Sequence, residues 1–278
     1  EMTSSLVGSE MCIRDRYMCR CFWLFSFLIV LCGCDKIDLE KIRDLRIIAH
    51  RGGTTQYPEN SLAAIANAIN LGVDAIEIDI RLCKDSTIVV CHDDNIDRVT
   101  NGSGKIKDMT YEEILAFSLE FEGTLTDQVI PTLDDVLQLV DMKVELYIEI
   151  KEGSKSIELQ LLKLLEKYDC YNAVSIISFD YHTLVRISEK NEKVRLKYLL
   201  YNVDDPSALP RLSYNLMDGM ILDYQMMNKD IVDKIKAINK TIEVYTVDDI
   251  SSMSENQYDW IEGLISNRPE YWMSIKRK

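Results

Sequence analysis

The sequence predicts an α/β protein built as a (β/α)8 barrel, and two observations support this fold class. From residue 46 onward, short runs rich in Ile, Val and Tyr alternate with helix-like stretches, a pattern that indicates a parallel sheet. Nine such runs are present, but one of them follows its predecessor too closely for a parallel crossover. Removing it leaves eight strand–helix repeats, the number in a TIM barrel. An open, doubly wound sheet is the alternative.

The predicted elements follow one another in a regular order. The strand-like runs are residues 46–50, 75–81, 88–92, 145–151, 174–178, 194–200, 219–222, 242–247 and 263–266. The helix-like stretches are residues 61–71, 132–140, 156–167, 181–190, 229–239 and 249–257. A parallel crossover takes about a dozen residues, and the link between Arg81 and Ile88 is shorter. The third run must therefore return antiparallel, as a hairpin on the second.

The alternation is interrupted between residues 99 and 131. This region contains Asn101-Gly102-Ser103-Gly104 and a polar helix-like stretch at 110–118. We expect a small insertion at the barrel mouth, within a single barrel domain of residues 46–278. The glycines favour a turn over a phosphate-binding loop, because no strand precedes them and no helix follows.

The N-terminal region has the pattern of an exported lipoprotein. Residues 1–16 have no helical or strand period and resemble translated adapter sequence, so we expect the natural chain to start near Met18. A basic residue, Arg20, precedes an apolar core at 22–31, which suits a secretory signal and falls short of the about 20 residues of a membrane span. Residues 1–34 are thus interpreted as a non-native leader plus a signal peptide.

The ending Leu31-Cys32-Gly33-Cys34 resembles a bacterial lipobox. Lipidation at Cys34 would anchor the exported protein to the bacterial cell envelope, on the periplasmic or the outer surface. An uncleaved signal anchor and a plain signal peptide are the alternatives. Residues 35–45 then form a charged tether or a short helix.

Composition limits the partners. The formal net charge of −14 at pH 7 disfavours nucleic acid and electrostatic adhesion to anionic lipid. A phosphate-bearing substrate would need local positive groups. No protein partner is predicted, and no CxxC spacing indicates a zinc or redox site. Cys83 and Cys91 lie in or next to strand-like runs, and we expect buried thiols there.

Three carboxylates lie on two neighbouring predicted strands. Residues two apart in a strand face the same way, so Glu77 shares a face with Asp79 and Glu149 with Lys151. Both pairs lie towards the C-terminal strand ends, where barrel enzymes place their sites. Converging carboxylates repel one another unless a cation lies between them, and oxygen ligands favour Mg²⁺ or Ca²⁺ over zinc. Alternatively, Glu149 pairs only with Lys151, or Asp79 forms a rim salt bridge with Arg81.

Two of the three histidines end strand-like runs. His50 is followed by Arg51 and by glycines 52–53, which would let a ligand approach the backbone. An imidazole moves protons near neutral pH, and an arginine grips phosphate oxygens. The predicted hairpin brings His92 to the same mouth, whereas His182 is interpreted as structural.

Together these groups describe a phosphodiester hydrolase. One histidine would activate the nucleophile and the other would protonate the leaving alkoxide. The metal, Arg51 and Lys151 would stabilise charge on the phosphoryl oxygens.

Over residues 46–270 the sequence resembles the glycerophosphodiester phosphodiesterases. The matching phrases are His50-Arg51-Gly52, Pro58-Glu59-Asn60-Ser61, Glu77-Ile78-Asp79, Val89-Val90-Cys91-His92-Asp93, Arg98-Val99-Thr100 with Gly102 and Gly104, Pro131-Thr132-Leu133, Glu149-Ile150-Lys151 and Ser178-Phe179. The resemblance implies a barrel with a small insertion and hydrolysis of glycerophosphodiesters to glycerol 3-phosphate and an alcohol. It also implies that His50 and His92 are the acid–base pair, that Glu77, Asp79 and Glu149 bind the metal, and that Arg51 and Lys151 hold phosphate.

Two phrases depart from the family pattern. The usual Trp-Thr-x-Asn phrase reads Tyr245-Thr246-Val247-Asp248, and the usual Thr-Asp-x-Pro phrase reads Ser266-Asn267-Arg268-Pro269. These changes permit a different substrate for the same chemistry, such as a lysophospholipid or a polyol-phosphate polymer of the envelope. A catalytically silent binding protein displayed on a membrane is a third hypothesis.

Overall fold

The structure, a computed structural model, describes residues 39–200 and 216–277. Its strands are β1 (Arg46–Ala49), β2 (Ala75–Leu82), β3 (Ile88–Val90), β4 (Glu120–Phe121), β5 (Thr124–Leu125), β6 (Glu145–Ile150), β7 (Val174–Ser178), β8 (Arg195–Leu200), β9 (Gly219–Asp223), β10 (Thr241–Tyr245) and β11 (Gly263–Ser266). Its helices are α1 (Leu39–Asp44), α2 (Leu62–Leu71), α3 (Tyr111–Ile114), α4 (Leu133–Val140), α5 (Lys155–Lys167), α6 (Tyr181–Lys190), α7 (Lys229–Ala237), α8 (Glu255–Tyr258) and α9 (Pro269–Lys276).

Parallel pairing closes the barrel. The strands follow the order β1, β11, β10, β9, β8, β7, β6, β2, and β1 also pairs with β2. β1 closes the barrel by pairing on both sides. Arg46 lies opposite Gly263 of β11, and Ile48 lies opposite Ala75 of β2. The predicted eight-stranded barrel is therefore confirmed, and the open sheet is excluded. β3 pairs antiparallel with β2, with Arg81 opposite Val89, as the short link requires.

One predicted helix is divided in the structure. The stretch 249–257 contains a 3₁₀ turn at Ile250–Ser252, followed by α8. Asp249 accepts from the Ser251 backbone N–H at 2.8 Å, and Ser254 begins a new helix through a capping box with Gln257. Two capping residues in one short segment compete with a continuous helix, which accounts for the break.

The barrel interior changes in chemistry along its axis. At the N-terminal end, Arg46 and Lys197 donate to the Tyr147 hydroxyl, which donates to Glu243 at 2.8 Å. A buried apolar layer lies above these charges, made of Ile48, Ala75, Tyr147, Ile177, Leu199, Ile221 and Ile265. Polar side chains at the C-terminal strand ends are thus separated by apolar packing from the ion pairs below.

The region between β3 and α4 packs against the β2–β3 hairpin in a small core of its own. The buried members are Cys83, Val89, Cys91, Ile96, Val99, Ile106, Ile114, Leu119 and Ile130. Cys83 and Cys91 are free, buried thiols, as expected. A Cβ on Gly102 would come within 2.4 Å of the Phe117 ring. This glycine therefore serves packing of the loop.

The predictions for the N-terminal region are only partly covered by the described residues. Of the two alternatives for residues 35–45, the structure contains the helix, α1, and its Ile42 is fully buried in the main core. Cys34 and the predicted signal peptide lie outside the described residues. Within the described ranges, no helix is long and apolar enough to cross a membrane.

Candidate active site

His50 begins the tight turn that follows β1. Its Nδ1 lies 2.6 Å from Asn267 Oδ1, and its Nε2 lies 3.9 Å from Glu77 Oε2. Arg51 has a left-handed backbone, with φ of 52°, and its N–H donates to Glu77 Oε2 at 2.9 Å. Burial, together with the Arg51 charge, lowers the pKa of His50. The neutral imidazole is therefore favoured, as a proton acceptor requires.

Gly52 and Gly53 are needed for packing within the protein. Their φ angles are 82° and 92°. A Cβ on Gly52 would lie 3.0 Å from the Ala64 Cβ, and one on Gly53 would lie 2.7 Å from the Pro269 Cγ. The close approach of α2 and α9 thus accounts for both glycines, and the expectation that they open the backbone to a ligand stays a prediction.

Three buried carboxylates meet where β2 and β6 lie side by side. Asp79 is opposite Glu149 in the register, and one oxygen each from Glu77, Asp79 and Glu149 lie within 4.8 Å of one another. Among the described residues, Glu77 Oε1 and Asp79 Oδ1 are buried without a hydrogen-bond donor. Such buried, undersatisfied oxygens suit a hard cation, since oxygen ligands are what Mg²⁺ and Ca²⁺ prefer. The residues present therefore fit the predicted metal.

The electrostatics of the cluster agree with that fit. Burial and the two neighbouring carboxylates raise the pKa of Glu77 well above its ordinary value. Burial and the Asp79 charge raise the pKa of Glu149 to about 7. Burial also opposes ionisation of Asp79, but the charges of Lys151 and Arg51 lower its pKa. Without a cation the three groups thus compete for negative charge.

Asn60 fixes the central carboxylate. It is 3% exposed and adopts a left-handed backbone, with φ of 58°. Its Nδ2 donates to Asp79 Oδ2 at 2.9 Å, while its Oδ1 accepts from the Asp79 N–H at 3.2 Å. One amide thus holds both the backbone and the side chain of Asp79.

Two cations border the carboxylates. Lys151 Nζ lies 2.7 Å from Glu149 Oε1 and 3.4 Å from Asp79 Oδ1. Arg51 Nε lies 3.5 Å from Asp79 Oδ2. The pairing of Glu149 with Lys151 is therefore present, but it is part of the cluster. Arg81 was the alternative partner of Asp79 in a rim salt bridge. In the structure, Arg81 instead holds the backbone of His92: its Nε and Nη2 donate to the His92 carbonyl at 2.8 and 2.6 Å.

His92 reaches the site from the hairpin and the residues that follow it. Its Nδ1 lies 2.7 Å from Asp93 Oδ1, and Arg98 donates to the other Asp93 oxygen at 2.6 Å. Arg98 also donates to Glu59, which accepts from Arg51 at 2.9 Å. Burial lowers the pKa of His92, whereas Asp93 opposes this. A chain of alternating charges thus links the His92 side of the site to Arg51.

The predicted residues surround one cavity of about 200 Å³. Its polar wall is formed by His50, Arg51, Glu77, His92, Glu149 and Lys151. The facing wall is mainly apolar and contains Ile177, Phe179, Leu199, Tyr245, Thr246 and Ile265. Asp79 lies beneath the polar wall, fully buried. The structure thus brings together all seven residues predicted for catalysis, phosphate binding and metal binding.

Residues 50–271 match the model of the glycerophosphoryl diester phosphodiesterase family. The chain belongs to this family. A glycerophosphodiester phosphodiesterase from Caldanaerobacter subterraneus is 34% identical over 241 residues, covering 84% of the chain and 98% of that relative. Another, from Bacillus altitudinis, is 27% identical over 247 residues, covering 84% of the chain and 98% of that relative. The predicted family is confirmed, together with the prediction that the chain is an enzyme.

Solved structures show the same fold. A phosphodiesterase from Oleispira antarctica, in complex with the product sn-glycerol-3-phosphate, superposes with a TM-score of 0.76 at 23% identity, covering 84% of this chain and 97% of that one. A glycerophosphodiester phosphodiesterase from Thermotoga maritima gives a TM-score of 0.69 at 26% identity, covering 83% and 97%. Both likenesses agree with the barrel described above.

Several site residues of this glycerophosphodiester phosphodiesterase family member were not predicted from the sequence. They are Glu59, Asn60, Asp93, Arg98, Asp248 and Asn267. The first four lie inside the phrases that carry the family resemblance, so those phrases contained the relevant pattern. The last two stand in the phrases that depart from it. His182 is exposed at the start of α6 and is not among the residues that line the cavity.

Proposed function

We propose that this chain hydrolyses glycerophosphodiesters to glycerol 3-phosphate and an alcohol with the help of bound Mg²⁺ or Ca²⁺. The observation that carries the proposal is one cavity bordered by three carboxylates, two cations and two imidazoles. The name of the Caldanaerobacter relative supports the same activity.

Glu77, Asp79 and Glu149 would hold the cation. Their oxygens lie close enough to share one ion, and two of those oxygens have no hydrogen-bond donor among the described residues. When bound, the ion supplies positive charge that attracts the phosphoryl oxygens. Lys151 lies beside the carboxylates at the same wall and would bind phosphate as a point charge. Arg51 would add a planar donor from the opposite side.

His50 and His92 would move the protons. One of them would take a proton from the attacking hydroxyl, and the other would give a proton to the alcohol as it leaves. Each Nδ1 already has a partner, Asn267 for His50 and Asp93 for His92. The Nε2 atoms are therefore the nitrogens available to substrate. Arg81 holds the His92 backbone through its carbonyl and would keep that imidazole at the mouth.

The size of the cavity favours a compact substrate. Sites for drug-sized ligands measure about 300–1,000 Å³, whereas this cavity measures about 200 Å³. A glycerophosphoryl group with a small polar alcohol fits that volume better than a lysophospholipid or an envelope polymer. These two alternatives, and a silent binding protein, become outcomes of the assay.

The test is release of glycerol 3-phosphate from a panel of glycerophosphodiesters, with Mg²⁺ or Ca²⁺ added to metal-free enzyme. His50→Ala and His92→Ala should each abolish release, while the matched control His182→Ala, at an exposed position, should keep wild-type activity. Full activity in either site variant or in metal-free enzyme would contradict the mechanism. Faster turnover of lysophospholipids or polyol-phosphate polymers would move the substrate to that class, and binding without turnover would identify a silent binder.

We also propose that Cys34 is lipidated and anchors the enzyme to the bacterial envelope. The lipobox-like ending and the short apolar core that precedes it support this proposal. The test is metabolic labelling with a fatty acid in bacteria that express the full chain. Cys34→Ala should lose the label, and the neighbouring Cys32→Ala should keep it. Equal labelling of Cys34→Ala and wild type would contradict the anchor.

A further inference from the structure

A hydrogen-bonded chain of three side chains runs from Asp248 to His50. Asp248 Oδ2 accepts from Asn267 Nδ2 at 2.8 Å, and Asn267 Oδ1 lies 2.6 Å from His50 Nδ1. Asp248 Oδ1 accepts from the Asn267 N–H at 2.7 Å and from the Ser266 hydroxyl at 3.0 Å. Asp248 itself is absent from the lining of the cavity. It can therefore act on the reaction only through other residues.

The direction of this chain is fixed by chemistry. An ionised carboxylate only accepts hydrogen bonds, so Asp248 requires the NH₂ end of the Asn267 amide to face it. The amide oxygen must then face His50. An oxygen only accepts, so His50 Nδ1 must carry the hydrogen, and Nε2 keeps its lone pair in the neutral ring.

We infer that Asp248 is a positioning residue that holds His50 in the Nδ1–H form through Asn267, leaving Nε2 as the proton acceptor. The functional part of this inference rests on the proposed function. In the reaction, His50 Nε2 would take the proton of the attacking hydroxyl as its oxygen bonds to phosphorus. The phosphorus–oxygen bond to the alcohol breaks, and the protonated His92 returns a proton to the leaving oxygen.

The same pair accounts for one change in each of the two phrases that depart from the family pattern. Asp248 stands where the family usually has Asn, and Asn267 stands where it usually has Asp. The carboxylate and the amide have thus changed places, and their side chains are hydrogen-bonded to each other. The exchange therefore adds no net charge to the pair.

The test begins with Asp248→Asn. The new amide can donate to Asn267 Oδ1, so the Asn267 amide turns and presents its NH₂ group to His50. His50 then carries its hydrogen on Nε2 and cannot accept a proton there. A wrong histidine tautomer behind intact geometry lowers kcat by up to about 10⁴-fold in serine proteases. We expect a loss of about 10²–10⁴-fold in kcat with KM nearly unchanged, because His50 moves a proton and does not hold the phosphate.

The reciprocal exchange Asp248→Asn with Asn267→Asp is the decisive variant. The new amide at 248 would donate to the new carboxylate at 267, which would accept from His50 Nδ1–H. The double variant should therefore recover most of the lost kcat. Asp249→Asn is the matched control, because Asp249 caps the next turn through Ser251 and should leave kcat unchanged.

A readout independent of turnover is the tautomer itself. Long-range ¹H–¹⁵N spectra of the enzyme labelled at its three histidines distinguish the Nδ1–H tautomer from the Nε2–H tautomer. The spectra are recorded with Mg²⁺ present at about pH 8, where an unperturbed imidazole is neutral. Wild type and the double variant should show Nδ1–H for His50, and Asp248→Asn should show Nε2–H. Spectra of His92→Gln and His182→Gln assign the His50 signals.

Retention of both the Nδ1–H form and full kcat in Asp248→Asn would overturn the inference. If that variant does not fold, a folded double variant that shows Nε2–H on His50 would overturn it equally. Absence of phosphodiesterase activity in wild type would refute the proposed function, and the spectra would still decide the tautomer.

Discussion

Replacing Asn60 by glycine tests whether one buried amide orients Asp79 in the carboxylate cluster that is proposed to bind the metal. Glycine keeps the left-handed backbone that Asn60 adopts, at φ of 58°, and removes only the side chain. The carboxamide makes one bond to the Asp79 carboxylate and one to the Asp79 N–H. Both residues are at most 3% exposed, so water does not readily replace either bond.

The expected magnitude follows from those two bonds. A hydrogen bond to a charged group contributes about 1.5–3 kcal/mol and a neutral one about 0.5–1.5 kcal/mol. We expect Asn60→Gly to lower the free energy of unfolding of the metal-free protein by about 2–4.5 kcal/mol. Loss of a group that orients a metal ligand costs about 10–100-fold in metal affinity, so Mg²⁺ or Ca²⁺ binding should weaken by that factor.

The assays are urea unfolding and calorimetric titration of metal. Asn239→Gly is the matched control, because Asn239 also has a positive φ, of 56°, but is exposed at the end of α7. The control removes the same side chain from the same backbone region, so the difference between the variants isolates the bonds to Asp79. Unchanged metal affinity in Asn60→Gly would refute the reasoning.

Three further predictions follow from the same geometry. Lys151→Met should lower kcat/KM by about 10²–10³-fold. It should not weaken metal binding, because it removes a competing positive charge from beside the carboxylates. Equal losses of kcat/KM and of metal affinity by calorimetry would contradict this. Burial and a neighbouring carboxylate raise the pKa of Glu149 to about 7. Protonation of Glu149 therefore stabilises the metal-free protein. This contribution is complete below the ordinary pKa of 4.5 and is lost as pH rises to about 7. Urea unfolding at a series of pH values across this range measures the free energy of unfolding. That free energy should fall more steeply with pH in wild type than in Glu149→Gln, and equal slopes against pH would contradict the reasoning. Gly53→Ala should destabilise the protein by about 1–3 kcal/mol more than Gly123→Ala in thermal unfolding. Both glycines have a positive φ, but of the two only Gly53 faces Pro269. Equal losses of stability would contradict the packing explanation.

Prediction from the sequence worked best where a single strand decides the outcome. The period of two placed Glu77 with Asp79 and Glu149 with Lys151, and the short link after Arg81 required a hairpin. The helical stretch at 249–257 was predicted less well, because two local caps interrupt it and periodicity does not register their competition.

The partners of the two imidazoles could not be predicted in this way. His50 meets Asn267 across more than two hundred residues of chain, through the pairing of β1 with β11. The charge chain from His92 to Arg51 likewise depends on Arg98 and Glu59, which come from separate loops. Such contacts depend on three-dimensional placement, and no sequence period encodes them.

The sequence by itself predicted the barrel and the seven residues that line or underlie the cavity, because strand period and strand ends are local properties. The matching phrases, such as His50-Arg51-Gly52, predicted the family. The tertiary structure decided how those residues are held. Asn60 donates to Asp79, and Arg81 donates to the His92 carbonyl. Asp248 orients His50 through its hydrogen bond with Asn267. Closure of the barrel brings the ends of distant strands within hydrogen-bond distance. The orientation of the His50 imidazole by Asn267 is therefore a product of that closure, through the pairing of β1 with β11.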